Sequence, residues 1–99
     1  MEAFLTHDTF SELLNTKFRV VDAPTPVELE LVEISELLTS PAQERFSIVF
    51  RGPTENFLGQ GVRRFEHPKM GQFDLFLVPI AKNDEGYSYE SVFNRLIKT

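Results

Sequence analysis

Beyond about residue 16, apolar side chains recur at every second position, and this spacing restricts the fold of the chain more than any other feature. Segment 27–31 reads Val-Glu-Leu-Glu-Leu, and segment 46–50 reads Phe-Ser-Ile-Val-Phe. Successive side chains of a strand point to opposite faces of a sheet, so a strand with one buried face shows this alternation. The sequence therefore predicts a chain built mainly from β-strands.

Six segments carry the strand pattern, and turn signals separate them. Gly52-Pro53 and segment 67–71 are tight breaks, and segment 82–86 is a polar hairpin loop that ends in glycine. The predicted strands are 17–22, 27–34, 46–51, 62–66, 72–80 and 87–94. The last of them also fits helical spacing, so a C-terminal helix is its alternative. The pattern predicts a mainly β fold, in which a short N-terminal helix precedes about six antiparallel strands in a small barrel or roll.

Three irregularities refine this prediction. The apolar phase slips between Leu31 and Glu33, which predicts a bulge where a strand turns a corner. Segment 72–80 is apolar on both faces, so we expect a central strand that is buried on both sides, with pairing interrupted near Pro79. Segment 36–44 is predicted to be a connector with room for one helical turn.

A short helix is predicted near the N-terminus. Segment 9–12, Thr-Phe-Ser-Glu, has the spacing of a capping box, which satisfies backbone N–H groups at a helix start. Phe10, Leu13 and Leu14 lie three and four residues apart on one helical face. Asn15 suits the left-handed backbone that ends a helix. We expect this helix to cover the core with its apolar stripe.

Size and composition indicate one domain with a phenylalanine core. The chain has 99 residues and a mass of 11.4 kDa, which predicts a single domain over residues 1–99. Ten Phe and no Trp are present, so Phe side chains are expected to supply most of the core volume. The Phe residues at strand spacing are Phe18, Phe46, Phe50, Phe65, Phe73, Phe76 and Phe93.

Charge and the absence of Cys exclude several classes of function. A net charge of −5 opposes the field that a nucleic-acid-binding protein needs. Without Cys there are no disulfides, thiolate zinc sites or Cys nucleophiles. The N-terminal segment lacks signal-peptide character, and the longest apolar run, 75–81, is far shorter than the roughly 20 residues that span a bilayer. We expect a soluble, cytoplasmic protein that binds neither nucleic acid nor membrane.

The two halves of the chain carry opposite charge. Residues 1–44 have a net charge of −7 and residues 45–99 a net charge of +2. Opposite charges on neighbouring strands stabilise a sheet, so we expect the halves to pair. The alternative is an acidic outer face formed by Glu28, Glu30 and Glu33 that contacts a basic partner.

Few residues are suited to catalysis or metal binding. His67 is the better candidate of the two His, because it lies at a strand end next to Glu66. No nucleophile elbow surrounds any Ser, and His7 and His67 lack the spacing of metal ligands. No cofactor or metal site is predicted, and no catalytic residue is assigned.

The chain resembles an uncharacterised bacterial family of roughly hundred-residue proteins, classed as a domain of unknown function. The residues that carry the resemblance are Phe10, Leu13-Leu14, Phe18, Phe46-Ser47-Ile48-Val49-Phe50-Arg51-Gly52-Pro53, Gln60-Gly61, Glu66-His67-Pro68, Gly71, Leu75-Phe76-Leu77-Val78-Pro79 and Tyr89-Glu90-Ser91-Val92-Phe93-Asn94-Arg95. The sequence differs from the family pattern at Asn15, where Gly is frequent, and at Arg63, where an aromatic residue is common. The resemblance implies an association with phage-tail-like or tail-collar proteins, and it implies no catalytic residue.

These observations favour a small non-catalytic interaction or structural module. It would present an open sheet edge or a charged strand face to a partner protein or to its own copy. The predicted contact residues are Glu28, Glu30, Glu33, Arg51, Arg63 and Arg64. The alternatives are a small hydrolase or isomerase that uses His67, and a barrel that binds a small ligand.

Overall fold

The computed structural model describes residues 5–96, in which one helix precedes seven strands. These are α1 (His7–Glu12), β1 (Lys17–Val20), β2 (Val27–Ile34), β3 (Leu38–Thr39), β4 (Gln43–Gly52), β5 (Gly61–His67), β6 (Gly71–Asn83) and β7 (Gly86–Leu96). Residues 1–4 and 97–99 of the predicted domain lie outside this range. The prediction of a mainly β fold with a short N-terminal helix is confirmed.

Antiparallel pairing closes the sheet into a small barrel. The strand order is β2-β1-β5-β6-β7-β4-β3, and β2 also pairs with β4. That additional pairing joins six strands in a ring, and β3 extends the sheet outside it at the edge of β4. A closed ring leaves few unpaired strand edges, so those that remain identify where the barrel is accessible.

The predicted bulge in β2 allows the ring to close. β2 pairs with β1 through residues 27–30 and with β4 through residues 30–34. The register with β4 shifts between Leu31 and Glu33. An extra residue at this point bends the strand and increases its twist. β2 therefore turns from one neighbour to the next at the position where the apolar phase slips.

Alternate side chains of the barrel strands fill its interior. The buried apolar residues are Phe10, Leu13, Phe18, Val20, Val27, Leu29, Leu31, Phe46, Ile48, Phe50, Leu58, Phe65, Phe73, Leu75, Leu77 and Tyr89. Five of the seven predicted core Phe residues are among them, and Phe93 packs against the cluster while partly buried. The remaining one, Phe76, is half exposed.

The prediction that segment 72–80 is buried on both faces is wrong. A barrel has one interior, and β6 turns Phe73, Leu75 and Leu77 towards it. Phe76 and Ile80 therefore lie on the outer surface. The register of β6 with β7 is irregular between Pro79 and Ala81, which agrees with the expected interruption near Pro79.

Helix α1 covers one end of the barrel, but it begins earlier than predicted. Thr6, not Thr9, is the N-cap residue: its hydroxyl accepts a hydrogen bond from the Thr9 backbone N–H at 3.2 Å. Phe10 points into the barrel and is fully buried, whereas Leu14, predicted to share that face, is partly exposed because the helix ends at Glu12. Asn15 has the expected left-handed backbone, with φ of 69°.

The loop from residue 53 to residue 60 covers the other end. Leu58 is buried there, and its backbone N–H donates to Tyr89 Oη at 3.0 Å. Phe57 stays half exposed against Tyr87. Of the two apolar residues expected to anchor this loop, Leu58 is the one that does so.

Two connections differ from the predictions. Segment 36–44 contains no helical turn: β3 pairs with β4 around a turn in which Ser40 Oγ accepts the Gln43 N–H at 3.2 Å. The final segment is strand β7, as predicted, and not the alternative helix; it pairs with β4 along ten residues. The hairpin before it is tighter than expected, since Asn83 and Gly86 are already strand partners.

Candidate functional site

The barrel ring is incompletely paired between β6 and β7. These strands are paired from Val78↔Glu90 to Asn83↔Gly86. Before Val78, β6 pairs with β5, and after Glu90, β7 pairs with β4. We call the gap between residues 71–77 of β6 and residues 91–96 of β7 the seam.

A cavity of about 520 Å³ opens at the seam. The start of α1, the β2–β3 connection and strands β4, β6 and β7 form its walls. The lining residues are Leu5, Thr6, His7, Asp8, Leu37, Glu44, Phe46, Asp74, Leu75, Phe76, Ser91, Val92, Phe93, Asn94 and Arg95. Both seam strands are among the walls, so the cavity lies where their pairing ends. We call it the seam groove.

One side-chain hydrogen bond establishes which backbone groups of β6 face the seam. Ser91 Oγ donates to the Phe76 carbonyl oxygen at 2.9 Å, so that carbonyl points towards β7. The N–H and C=O of a strand residue point to the same neighbour, and the direction alternates along the strand. The backbone groups of Asp74 and Phe76 therefore face the seam, whereas those of Leu75 face β5.

The same alternation applies to β7. Val78 has the parity of Phe76, so its backbone groups face its β7 partner Glu90, and those of Glu90 face β6. Val92 and Asn94 follow at two-residue steps. Their N–H and C=O groups thus point across the seam towards β6, beyond the last strand pair between β6 and β7 in the described residues.

Exposed apolar side chains cross the seam on the outer surface. Val62 and Phe76 are strand partners, and continuing the Val78↔Glu90 register by two residues places Phe76 level with Val92. Their exposed fractions are 62% for Val62, 50% for Phe76 and 54% for Val92. We call these three residues the outer row.

The floor of the seam groove is aromatic. The rings of Phe46 and Phe93 stack with centroids 4.6 Å apart and an interplanar angle of 7°. Phe10 lies behind them, 5.3 Å from the Phe93 ring. His7 meets the edge of Phe46 at 5.3 Å, and its Nε2 lies 2.8 Å from the Ser35 carbonyl oxygen. The groove thus has an apolar interior surface close to the barrel core.

Acidic residues predominate among the charged groups of the groove. Asp8, Glu44 and Asp74 line it together with one base, Arg95. Glu44 forms an ion pair with Arg95. Asp74 accepts a hydrogen bond from Arg64 Nε at 2.8 Å, while Asp8 has no ion pair among residues 5–96.

His67, the predicted catalytic candidate, lies inside the barrel with 4% of its surface exposed. Its Nδ1 accepts the Lys69 backbone N–H at 3.0 Å, and its Nε2 is 3.0 Å from Thr16 Oγ1. Burial, and secondarily the positive charge of Lys69, lower the pKa of His67. Since both ring nitrogens are hydrogen-bonded, the geometry favours a structural role.

Two of the three predicted acidic contact residues lie opposite bases on neighbouring strands. Glu28 is the strand partner of Arg19, and Glu30 is level with both Lys17 and Arg51. Glu33 follows at the bulge, with Val49 as its partner. Of these contacts, the one between Glu30 and Arg51 joins the two halves of the chain, as the charge distribution predicted. Arg19 and Lys17 belong to the same half as the acids they face.

The predicted basic contact residues do not form one surface. Arg51 pairs with Glu85 at 3.3 Å, and Arg64 pairs with Asp74. Arg63 turns towards the loop that covers the barrel end, where one of its terminal nitrogens donates to the Gly59 carbonyl oxygen at 3.0 Å. A role for these residues in partner binding stays a prediction.

Sequence reasoning missed the residues of the seam groove. Periodicity identifies which face of a strand is buried but not where two strands stop pairing. One sequence feature does indicate the groove. In segment 72–80 the side chains that point away from the barrel interior include the apolar Phe76 and Ile80, which stay exposed. A contiguous patch of exposed apolar side chains, such as the outer row, is a mark of interaction surfaces.

Residues 5–96 contain no group of three or more His, Asp or Glu close enough to hold a metal ion. The same residues include no helix that combines the length and the apolar character needed to cross a membrane.

Comparison with known proteins identifies the family. A family model described as a domain of unknown function, DUF6916, matches residues 5–93, which includes all the elements described above except the end of β7. The chain belongs to the DUF6916 family. The searches of curated proteins and of solved structures found no match. Membership confirms the expectation that the chain belongs to a family classed as a domain of unknown function. The seam groove lies almost entirely within the matched residues.

Proposed function

We propose that this DUF6916 domain is a non-catalytic protein-interaction module that binds a partner protein at the seam groove. The observation that carries the proposal is the seam, where two strands of an otherwise closed ring stop pairing and a groove opens between them. Unpaired strand edges are sites at which proteins associate, because their N–H and C=O groups need hydrogen-bond partners.

The outer row supports the same location. Phe76 and Val92 border the groove and expose about half of their surfaces, although they are large and apolar. Burying such side chains against a partner is favourable by about 25 cal/mol per Å² of apolar surface removed from water. A partner that covers the groove would bury both side chains as well as the aromatic floor.

The partner protein would belong to a phage-tail-like assembly or be a second copy of this chain. The resemblance to proteins associated with phage-tail-like assemblies suggests an accessory role in such an assembly. A second copy of the chain is the other form of partner that fits a strand edge. The identity of the protein recovered in the experiment below distinguishes these possibilities.

The experiment compares two variants at exposed strand positions. Val92→Asp places a charge at the groove, and Ile80→Asp places the same charge on β6 outside the groove lining, at a similar exposure of 49%. A partner recovered by affinity purification is itself purified, and its binding to each variant is measured by calorimetry. We expect Val92→Asp to weaken binding at least tenfold and Ile80→Asp to leave it within twofold.

Two results would overturn the proposal. One is a partner whose affinity both variants reduce equally, which would place binding elsewhere. The other is the failure of the native protein to bind any partner or to self-associate at concentrations up to about 1 mM. Circular dichroism melting of both variants checks that neither result reflects loss of the fold.

A further inference from the structure

We infer that the partner segment is an extended, basic peptide that inserts as an additional strand between β6 and β7. This inference rests on the proposed function, because it specifies how binding at the seam groove is made. It names the conformation of the ligand and its charge, and each follows from a separate observation.

The conformation follows from the backbone of the two seam strands. Asp74 and Phe76 direct their backbone groups at the seam from one side, and Val92 and Asn94 do so from the other. An inserted strand alternates its N–H and C=O groups between its two neighbours, so it pairs with both edges at once. The Phe76 carbonyl oxygen already accepts a hydrogen bond from Ser91 Oγ at 2.9 Å, so insertion must displace that bond and move β6 and β7 apart at this point. A helix satisfies its own backbone groups and would leave these edges unpaired.

The side-chain pattern of the peptide follows from the two faces of the groove. Every second side chain of an inserted strand would point inward onto Phe46 and Phe93, whose stacked rings form the floor. The intervening side chains would point outward beside Phe76 and Val92. Apolar residues suit the inward positions because the floor is continuous with the core.

The charge of the peptide follows from the acids of the groove. Three carboxylates and one guanidinium line it. Glu44 is paired with Arg95 and Asp74 with Arg64, so Asp8 is the groove carboxylate that has no ion pair in the described part of the chain. Asp74 stands at the seam edge itself, on the outward face of β6. Lys or Arg at the outward positions of the peptide would approach these carboxylates, whereas acidic residues would be repelled.

The test uses synthetic peptides as probes. An eight-residue acetylated and amidated peptide of alternating Val and Lys is titrated into the ¹⁵N-labelled protein, with the alternating Val and Glu peptide as its charge control. We expect the Val–Lys peptide to bind at least tenfold more tightly. We also expect slower hydrogen exchange on binding at the amides of Asp74, Phe76 and Val92.

Backbone N-methylation separates strand insertion from side-chain adhesion. Two further Val–Lys peptides carry N-methyl groups, one at every Val and the other at every Lys. Each modification removes the N–H groups on one edge of the strand and leaves all side chains in place. Insertion between two strands requires both edges, so we expect each methylated peptide to lose at least tenfold in affinity.

The outcomes that overturn the inference differ from those that overturn the proposed function. Equal affinities of the methylated and unmethylated peptides, or of the Lys and Glu peptides, would reject strand insertion or the basic ligand, even if the Val92-dependent partner persists. A homodimer that Val92→Asp dissociates would assign the groove to a second copy and likewise reject the basic peptide. Absence of any Val92-dependent partner would reject the proposed function.

Discussion

The imidazole of His67 is hydrogen-bonded to the hydroxyl of Thr16, and this contact places a proton of the ring on Nε2. Thr16 Oγ1 donates its single proton to the Leu13 carbonyl oxygen at 2.7 Å, so it accepts from His67 Nε2–H at 3.0 Å. His67 Nδ1 accepts the Lys69 N–H and has no proton. The ring is therefore neutral, and it connects the end of α1 to the β5–β6 turn.

The first prediction concerns stability below neutral pH. Burial lowers the pKa of His67 in the folded protein, while the unfolded chain takes up the proton near the ordinary value of about 6.5. The unfolded state thus binds more protons as the pH falls through 6.5. The stabilisation from neutral His67 is complete above that pH and declines below it, by at most about 1.4 kcal/mol per pH unit.

Urea unfolding between pH 8 and pH 5 measures this dependence. The His67→Gln variant should be less stable at pH 8 and should lose the part of the slope between pH 7 and pH 5 that His67 contributes. His7→Gln serves as the control, because it removes the other His and leaves His67 in place. An unchanged slope in His67→Gln would contradict the prediction.

The second prediction concerns the contact between α1 and the barrel. Phe10 is fully buried, and its ring lies 6.2 Å from Phe18 and 5.3 Å from Phe93. Phe10→Ala should lower the free energy of unfolding by about 3–5 kcal/mol, because it leaves a cavity at the barrel end. Phe57→Ala, at a half-exposed ring, should cost about 1 kcal/mol or less. Equal losses in chemical denaturation would show that α1 does not pack as described.

The third prediction concerns two reasons why a position needs glycine: a positive φ angle, and a lack of space for a Cβ atom. Gly86 and Gly61 both have positive φ, 140° and 151°. A Cβ at Gly86 would lie 1.9 Å from the Gly52 carbonyl oxygen, whereas one at Gly61 would meet nothing within 4 Å. Backbone strain applies to both alanine variants, but overpacking applies only to Gly86→Ala.

Thermal and urea unfolding of the two variants should therefore differ. Gly61→Ala reports the strain alone, and Gly86→Ala should be a further 1–3 kcal/mol or so less stable. Similar stabilities would mean that β4 and the β6–β7 hairpin are not in close contact at Gly52. Neither glycine lines the seam groove, so both variants change the stability of the barrel without changing a groove residue.

The fold was more predictable than the site, for a physical reason. Alternation at 27–31 and 46–50 reports burial of one strand face, and the phase slip at 31–33 reports the bulge, because both are local properties of the chain. Segment 72–80 was misjudged because an apolar outer face has the same pattern as a buried one. Only tertiary structure shows which side is the barrel interior.

The seam depends on non-local pairing, so no local pattern could locate it. Whether Asp74 has a partner on β7 is decided by where the pairing of β6 with β7 ends, a relationship between segments about twenty residues apart. The predicted contact residues were chosen by charge, and the pairing of strands distributed them around the barrel. Pro79 marked the end of regular β6–β7 pairing but gave no indication of the groove beside it.

The last prediction tests the seam in the free protein, without any partner. Backbone N–H groups of Phe76 and Val92 face the seam beyond the last β6–β7 strand pair, whereas those of Leu75 and Phe93 face paired neighbours on β5 and β4. Exchange of amide protons with solvent is slow where the N–H is held in a strand pair and fast where it is not. We expect the amides of Phe76 and Val92 to exchange at least tenfold faster than those of Leu75 and Phe93 in native-state NMR measurements.

The comparison is internally controlled, because adjacent residues on one strand share depth and local stability and differ mainly in the direction of the N–H group. If the whole barrel opened cooperatively, all four amides would exchange at one rate. If β6 and β7 were paired throughout, Phe76 and Leu75 would be protected equally, and the seam would be closed in solution. Alternating fast and slow exchange along residues 74–76 and 92–94 is the pattern that an unpaired edge on one side of each strand produces, and it is the condition that an inserted peptide strand requires.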